Sequence, residues 1–315
     1  EATSDATCQA CSTGTYSTAT GATSNAVCTA CEAGTYSAAT GASKCEKVPA
    51  GFVALNYPRN NLHLYFKAEY YNKKTKQWQD QGPNNFPVTV RGTPTQEVKV
   101  GHGASAAITQ VKGGSTDGII FNQAANGKFP LPINYTICSM SRYTSNIKGT
   151  QRRIIDAYGV NATNWLHGHW DGLVGVAHNN GGFFTPQSSV FTTDKTTDWL
   201  LFCGQNVNSD KGYVNRIFKY WDFSTKKIVK RSAQHSVQAD GGFKFGINPL
   251  DADKREPSDW AVAEIMVWDR GLADNEIDQT LNYFKSRLEG RSFGILACAA
   301  GKFSVSGAIS CSDCP

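Results

Sequence analysis

The hydrophobic period of the chain changes between Trp260 and Gly290. Trp260, Val262, Glu264, Met266 and Trp268 alternate with Ala261, Ala263, Ile265 and Val267, the second set wholly apolar and the first nearly so. This predicts a strand buried on one face and largely covered on the other. Asp269, Arg270 and Gly271 end the alternation, after which Ile277, Leu281, Phe284 and Leu288 follow at spacings of four, three and four. That spacing predicts an amphipathic helix with one apolar stripe. Asp274 or the residue before it caps the start, Glu276 and Asp278 lie in the first turns, Lys285 and Arg287 near the last, and Gly290 ends it. One short helix closing a strand-like chain requires a sheet to supply the surface it covers.

Upstream the pattern is that of short strands. Residues 48–71 read as a linker entering extended structure, and residues 72–96, with Pro83, Pro87 and Pro94, as loops and edge strands. Strand-like runs follow at Glu97–Val100, Ile108–Val111, Gly118–Phe121, Tyr135–Arg142, Arg152–Tyr158, Trp165–His178, Trp199–Cys203, Asn215–Phe223 and Ile228–Arg231, separated by Gly, Asn and Asp. Many short strands with one helix predict an all-β fold, an antiparallel sandwich or jelly roll, and not an α/β fold.

Composition agrees with a packed, turn-rich chain. Of 315 residues 40% are apolar and 18% charged, with 30 glycines and seven tryptophans, which excludes a disordered polymer. The net charge of +5 is carried visibly by Lys73, Lys74, Lys76 and by Lys226, Lys227, Lys230, Arg231, both in polar turn-like stretches. These read as solvated surface, so no nucleic-acid partner is expected. No apolar run approaches the roughly 20 residues of a membrane span. The chain starts at Glu1 without a signal peptide, which predicts a processed protein or a piece of a longer one.

Eight of the ten cysteines crowd the two ends. Gly-Thr-Tyr-Ser recurs at 14–17 and 34–37, a 20-residue period in a segment made mostly of Thr, Ser, Ala and Gly. Such a segment buries too little apolar surface to fold without cross-links. Cys8-x2-Cys11 with Cys28-x2-Cys31 has the spacing of a four-cysteine zinc site, but the next unit has Cys45 alone, and no histidine is near. If each loop opens at the second cysteine of a pair and closes at the first of the next, Cys11 joins Cys28, Cys31 joins Cys45, and Cys298 joins Cys311. Cys8 and Cys314 then belong to loops outside residues 1–315, which predicts a segment of a longer array or links between successive copies. Cys138 and Cys203 lie within strand-like runs and are expected to form a third kind of bridge.

The terminal units, with C-x2-C, Gly-Thr-Tyr-Ser and a Gly-Ala before the next cysteine, resemble the short extracellular cysteine repeats named after ephrin receptors. NYTICSMSRYTS, NWLHGHWDGLVGVAHNNGGFFT, DWLLFCGQN and SDWAVAEIMVWDRGLADNEI resemble successive strands of a laminin-G-like, concanavalin A-like jelly roll, with Ala273 where that family often has a Ser cap. The resemblance implies cysteine repeats at 1–48, a jelly-roll domain at 49–293, and the start of a further repeat at 294–315.

Candidate chemistry is sparse. The E-x-D-x-x-E strand of related glycoside hydrolases is absent; Glu276-Ile-Asp278 comes closest, but on the helix, with Leu281 where the second glutamate belongs. Glu264 has no acidic neighbour on its own face, so no catalytic residue is assigned. His167 and His169, two apart beside Trp165 and Trp170, could share a strand face as metal ligands do, yet no third ligand is near. A polar strand rim over packed aromatics is the expectation there. No cofactor is required. Calcium at loop aspartates is the one addition considered, with Asp251 and Asp253 as candidates beside Asp171, Asp210 and Asp240. Asn134-Tyr-Thr and Asn161-Ala-Thr are N-glycosylation acceptors that suit an extracellular or cell-surface address.

The leading expectation is therefore an extracellular structural or adhesive glycoprotein segment, non-catalytic, within a larger surface or filament assembly. Mixed arrays of this kind are similar to large surface and flagellar-hair proteins of single-celled eukaryotes. Its partners would be copies of itself or other extracellular proteins, with glycans as a further class. The alternative is a carbohydrate-binding lectin domain using Trp165 or Trp170 as a stacking surface; a glycoside hydrolase comes third.

Overall fold

The computed structural model describes residues 11, 15–19, 28–31, 35–37, 41–50, 52–54, 57–147, 149–159, 164–179, 182–183, 197–208, 214–235, 242–249, 256–291, 295–297, 302–303 and 312–313. Cys8, Cys298, Cys311, Cys314, Asn161, Asp210, Asp240, Asp251 and Asp253 lie outside them. The chain forms two compact units, Glu1–Arg59 with Asp274–Pro315, and Asn60–Ala273.

In the first unit two-residue ladders join β1 (Thr15–Tyr16) to β2 (Thr29–Ala30) and β3 (Thr35–Tyr36) to β4 (Glu46–Lys47). Disulfides close the repeats at Cys11–Cys28 and Cys31–Cys45, at sequence separations of 17 and 14. Strand β5 (Phe52–Ala54) pairs with a segment from the far end of the chain, described below.

The second unit is a β-sandwich. Its strands are β6 (Leu62–Asn72), β7 (Gln77–Asp80), β8 (Val88–Arg91), β9 (Thr95–Gly101), β10 (Ala104–Gly113), β11 (Gly118–Phe121), β12 (Tyr135–Arg142), β13 (Ile155–Tyr158), β14 (Leu166–Trp170) and β15 (Leu173–Asn179). They continue with β16 (Gly182–Phe183), β17 (Leu200–Asn208), β18 (Val214–Asp222), β19 (Lys227–His235), β20 (Lys244–Ile247) and β21 (Trp260–Trp268). One sheet of nine strands runs β19-β18-β17-β12-β21-β10-β9, with β6 also on β21 and β7 on β6. The other, of seven, runs β16-β15-β14-β13-β20-β11-β8. The pairings in both are antiparallel.

Strand β21 holds the larger sheet together. On one side β12 pairs along it, from Thr136↔Trp268 to Arg142↔Ala261; on the other, β10 takes Trp260–Val262 and β6 takes Glu264–Trp268. All nine of its residues are buried, as its near-continuous apolarity demands. Glu264, the one charge among them, accepts a hydrogen bond from the Tyr65 hydroxyl at 2.9 Å, so the buried carboxylate is not left bare. The core between the sheets is strongly aromatic: Phe66 meets Phe121 at 4.8 Å, Phe121 meets Phe245 at 4.7 Å, and Phe245 meets Trp165 at 6.0 Å. Cys138 and Cys203 are direct partners on neighbouring strands β12 and β17 and form a disulfide within one sheet, at a Cα separation of 4.1 Å.

After the sandwich the first unit resumes with α1 (Asp274–Leu288), whose Ile277, Leu281, Phe284 and Leu288 are all buried. Tyr283 packs on Tyr57 at 5.0 Å within this unit. The helix stops in a Schellman arrangement: Gly290, with φ of +71°, donates to the Arg287 carbonyl, and Arg291 donates to that of Ser286. Strands β22 (Ile295–Ala297), on β5, and the pair β23 (Lys302–Phe303) and β24 (Ser312–Asp313) complete the described elements.

Candidate functional site

The histidines take a different place from the strand rim expected of them. Strand β14 turns His167 and His169 into the sandwich, both buried. His167 and His169 stand two apart on β14 and so share its inward face, while the register shift against β15 is taken up by Gly175, between the pairs Gly168↔Val176 and His169↔Val174. His167 Nε2 lies 3.2 Å from Ser139 Oγ, and Gly204 leaves room for the ring, since a Cβ there would sit 3.3 Å from Nδ1. His169, 0% exposed, has Tyr143 at 4.8 Å and no hydrogen-bond partner for either nitrogen. Burial depresses both pKa values to about 3, so both rings are neutral at physiological pH. Among the described residues no three His, Cys, Asp or Glu side chains gather as metal ligands would.

The buried carboxylates hold loops. Asp80 accepts from the backbone N–H groups of Tyr65, Gly82 and Phe86 at 2.9, 2.8 and 3.0 Å, and burial raises its pKa against those bonds. Asp259 fastens the 144–150 loop through Thr144 N, Ser145 N and the hydroxyls of Thr144 and Thr150. Asp171 stands at the β14–β15 turn with φ of +48°, its carboxylate 2.7 Å from Arg152 Nη1.

A group of polar and aromatic side chains gathers on the outer side of the seven-stranded sheet. Alternation along IDAY sends Ile155 and Ala157 into the core and leaves Asp156 and Tyr158 facing out; VTVR does the same for Arg91 on β8. Arg91 Nη2 donates to the Tyr158 hydroxyl at 3.0 Å, its Cζ 5.6 Å from the ring centroid. Arg153 Nη1 reaches Asn164 Oδ1 at 2.8 Å and Asp156 Oδ1 at 3.3 Å, while its Nε pairs with Glu256. The second oxygen of Glu256 accepts from Trp170 Nε1 at 3.0 Å. Tyr158 and Trp170 are both half-buried, so neither residue is sealed within the core. Trp165, the other sequence candidate, is buried and donates Nε1 to the Tyr135 hydroxyl at 2.7 Å; it is core. Arg91, Arg153, Tyr158 and Glu256 escaped the sequence reading. The two-residue alternation at 88–91 and 155–158 carries a signal for Arg91 and Tyr158, whereas nothing local marks Glu256.

Of the two sequons, Asn134 is described, and its residue is exposed at the entry to β12. Its Thr136 is sealed: the hydroxyl donates to the Arg270 carbonyl at 3.0 Å and accepts from Leu272 N at 2.9 Å.

No protein-family model matches the chain, and no curated protein matches it. Solved structures do. The binding domain of botulinum neurotoxin serotype G is 12% identical over 72% of this chain and 51% of that one, with a TM-score of 0.42. The binding domain of Paraclostridial Mosquitocidal Protein 1 is 13% identical over 72% and 53%, at 0.46. A mutant of Trypanosoma rangeli sialidase displaying trans-sialidase activity is 12% identical over 74% and 34%, at 0.45. The chain thus spans about half the length of the two toxin domains and a third of the sialidase. The likeness is one of sheet-rich architecture.

Proposed function

We propose that this chain is a non-catalytic extracellular recognition segment that holds glycans on the outer face of its seven-stranded sheet, at Tyr158 and Trp170. The observation that carries the reading is two half-buried rings set among guanidinium, carboxylate and amide groups on one side of one sheet. A sugar offers a C–H face to an aromatic ring and hydroxyls to charged hydrogen-bonding groups around it, and this surface presents both. Three disulfides fit an oxidising compartment. The non-catalytic part rests on the acids being engaged: Asp156 and Glu256 share Arg153, and Asp80 and Asp259 anchor loops.

On a glycan array the protein is expected to show saturable binding, and Trp170→Ala to weaken it about tenfold, the loss of ~1.4 kcal/mol that one stacked ring supplies. An array with no saturable signal, or a Trp170→Ala variant that binds as well as the parent, sinks the proposal.

A second reading, a structural or adhesive link in a surface or filament assembly, draws support from the successive closed loops Cys11–Cys28 and Cys31–Cys45. That phase assigns Cys8 and Cys314 to neighbouring repeats or copies. Peptide mapping of native material without reduction should find Cys8 joined to a cysteine other than Cys11 and glycan mass on the Asn134 peptide. A Cys8–Cys11 bond removes this reading, and a bare Asn134 removes the glycoprotein assignment at that site.

A further inference from the structure

We infer that β9 is the docking edge for a second copy of this chain, pairing antiparallel about Val98. Strand β9 ends the nine-stranded sheet, and its ladder runs to β10 alone among the described residues. Its outer N–H and C=O groups are therefore a template for another strand. Two of its side chains, Val98 at 65% and Val100 at 57% exposure, are among the most open large apolar residues described. An edge strand is ordinarily protected from pairing by a charge, and Lys99 is such a charge.

The order of residues in Thr95-Gln-Glu-Val-Lys-Val-Gly101 turns that protection into selectivity. A two-fold axis through Val98 sets Val98 against Val98, Gln96 against Val100, and Glu97 of each copy against Lys99 of the other. Both charge pairs are then of opposite sign, on the face of β9 opposite the valines. Glu97 already holds Lys112 at 2.8 Å and accepts from Gln110 Nε2 at 2.6 Å, both on β10, so its carboxylate leans toward that inner neighbour and it is the long side chain of Lys99 from the second copy that would reach across to it. A shift of two residues from this register would set Lys99 on Lys99 or Glu97 on Glu97. The complementarity is what favours a copy of this chain over an unrelated peptide strand. The interface is small, and a dimer of modest affinity, forming in the range of about 10–100 μM, is expected. The inference does not rest on glycan binding.

Sedimentation of the full chain carrying Cys8→Ser and Cys314→Ser, to exclude cross-linking, tests it. The expected result is a concentration-dependent dimer that Val98→Pro abolishes and Lys99→Glu weakens at least tenfold, with folding of each variant checked by its denaturation midpoint. A mixture of Lys99→Glu and Glu97→Lys chains should recover the dimer, because both cross-strand pairs become opposite in sign again. A chain that stays monomeric at these concentrations, or a dimer indifferent to Val98→Pro and Lys99→Glu, overturns the inference.

Discussion

Lowering the pH from 7 to 4 is expected to remove about 6 kcal/mol of folding stability, half through each of His167 and His169. Both are fully buried and have folded-state pKa values near 3, against an unfolded value of 6.5. The folded rings therefore stay neutral while the unfolded ones take up protons. Stability is fully present above pH 6.5 and declines as the pH falls toward 3, by ~1.4 kcal/mol per unit for each ring. His63, lowered chiefly by burial, adds in the same direction. Asp80, raised chiefly by burial, acts oppositely, because its folded form accepts a proton more readily than its unfolded one. A loss of this size is comparable to the whole stability of an ordinary domain, so acid unfolding should begin well above the carboxylate range. Urea midpoints measured at half-unit steps check this. His169→Leu should reduce the slope by one proton and raise stability at neutral pH, since it removes two buried nitrogens without partners. Midpoints that stay level between pH 7 and 4.5 would contradict the burial of both rings.

Replacing Cys138 and Cys203 together by alanine should cost about 4 kcal/mol, the loop-closure entropy of a 65-residue separation. For a unit of this size that is a fall of roughly 8–16 °C in Tm. The bridge joins β12 to β17 directly, two neighbouring strands of one sheet, so its loss leaves the ladder formed and acts mainly on the unfolded chain. Unfolding rates should accordingly change less than refolding rates. A double variant with the parent's Tm would show that the bridge adds nothing to the strand pairing.

The end of the sandwich was plain in the chain itself. The alternation over 260–268 anticipated a strand covered on both faces, and the spacing of Ile277, Leu281, Phe284 and Leu288 anticipated α1, because both periods are imposed locally. Gly118–Phe121 and Tyr135–Arg142 also appear with the expected bounds. Trp165–His178, read as one run, is two strands: Asp171-Gly172 forms a two-residue turn with both φ positive, a signal strong enough to have split it. The direction of the histidines was beyond local reading. Alternation sets both rings on one face of β14, but which face the opposite sheet covers is decided by the strand order. The outer-face cluster joins residues from 91, 153–158, 164, 170 and 256, which only the strand order brings to one surface.

The sealed hydroxyl of Thr136 sets an order of events. Its two partners, Arg270 and Leu272, lie 134 and 136 residues further along, and until they emerge from the ribosome the Asn134-Tyr-Thr acceptor has no fold to hide in. At translation rates of about 5–20 residues per second, that interval lasts roughly 7–27 s. If Asn134 is an acceptor, as proposed, sugar attachment there would be a race against completion of β21. Slower elongation would then raise occupancy, and a chain already folded would be refractory to the transferase, so that occupancy would record how quickly the last central strand arrived.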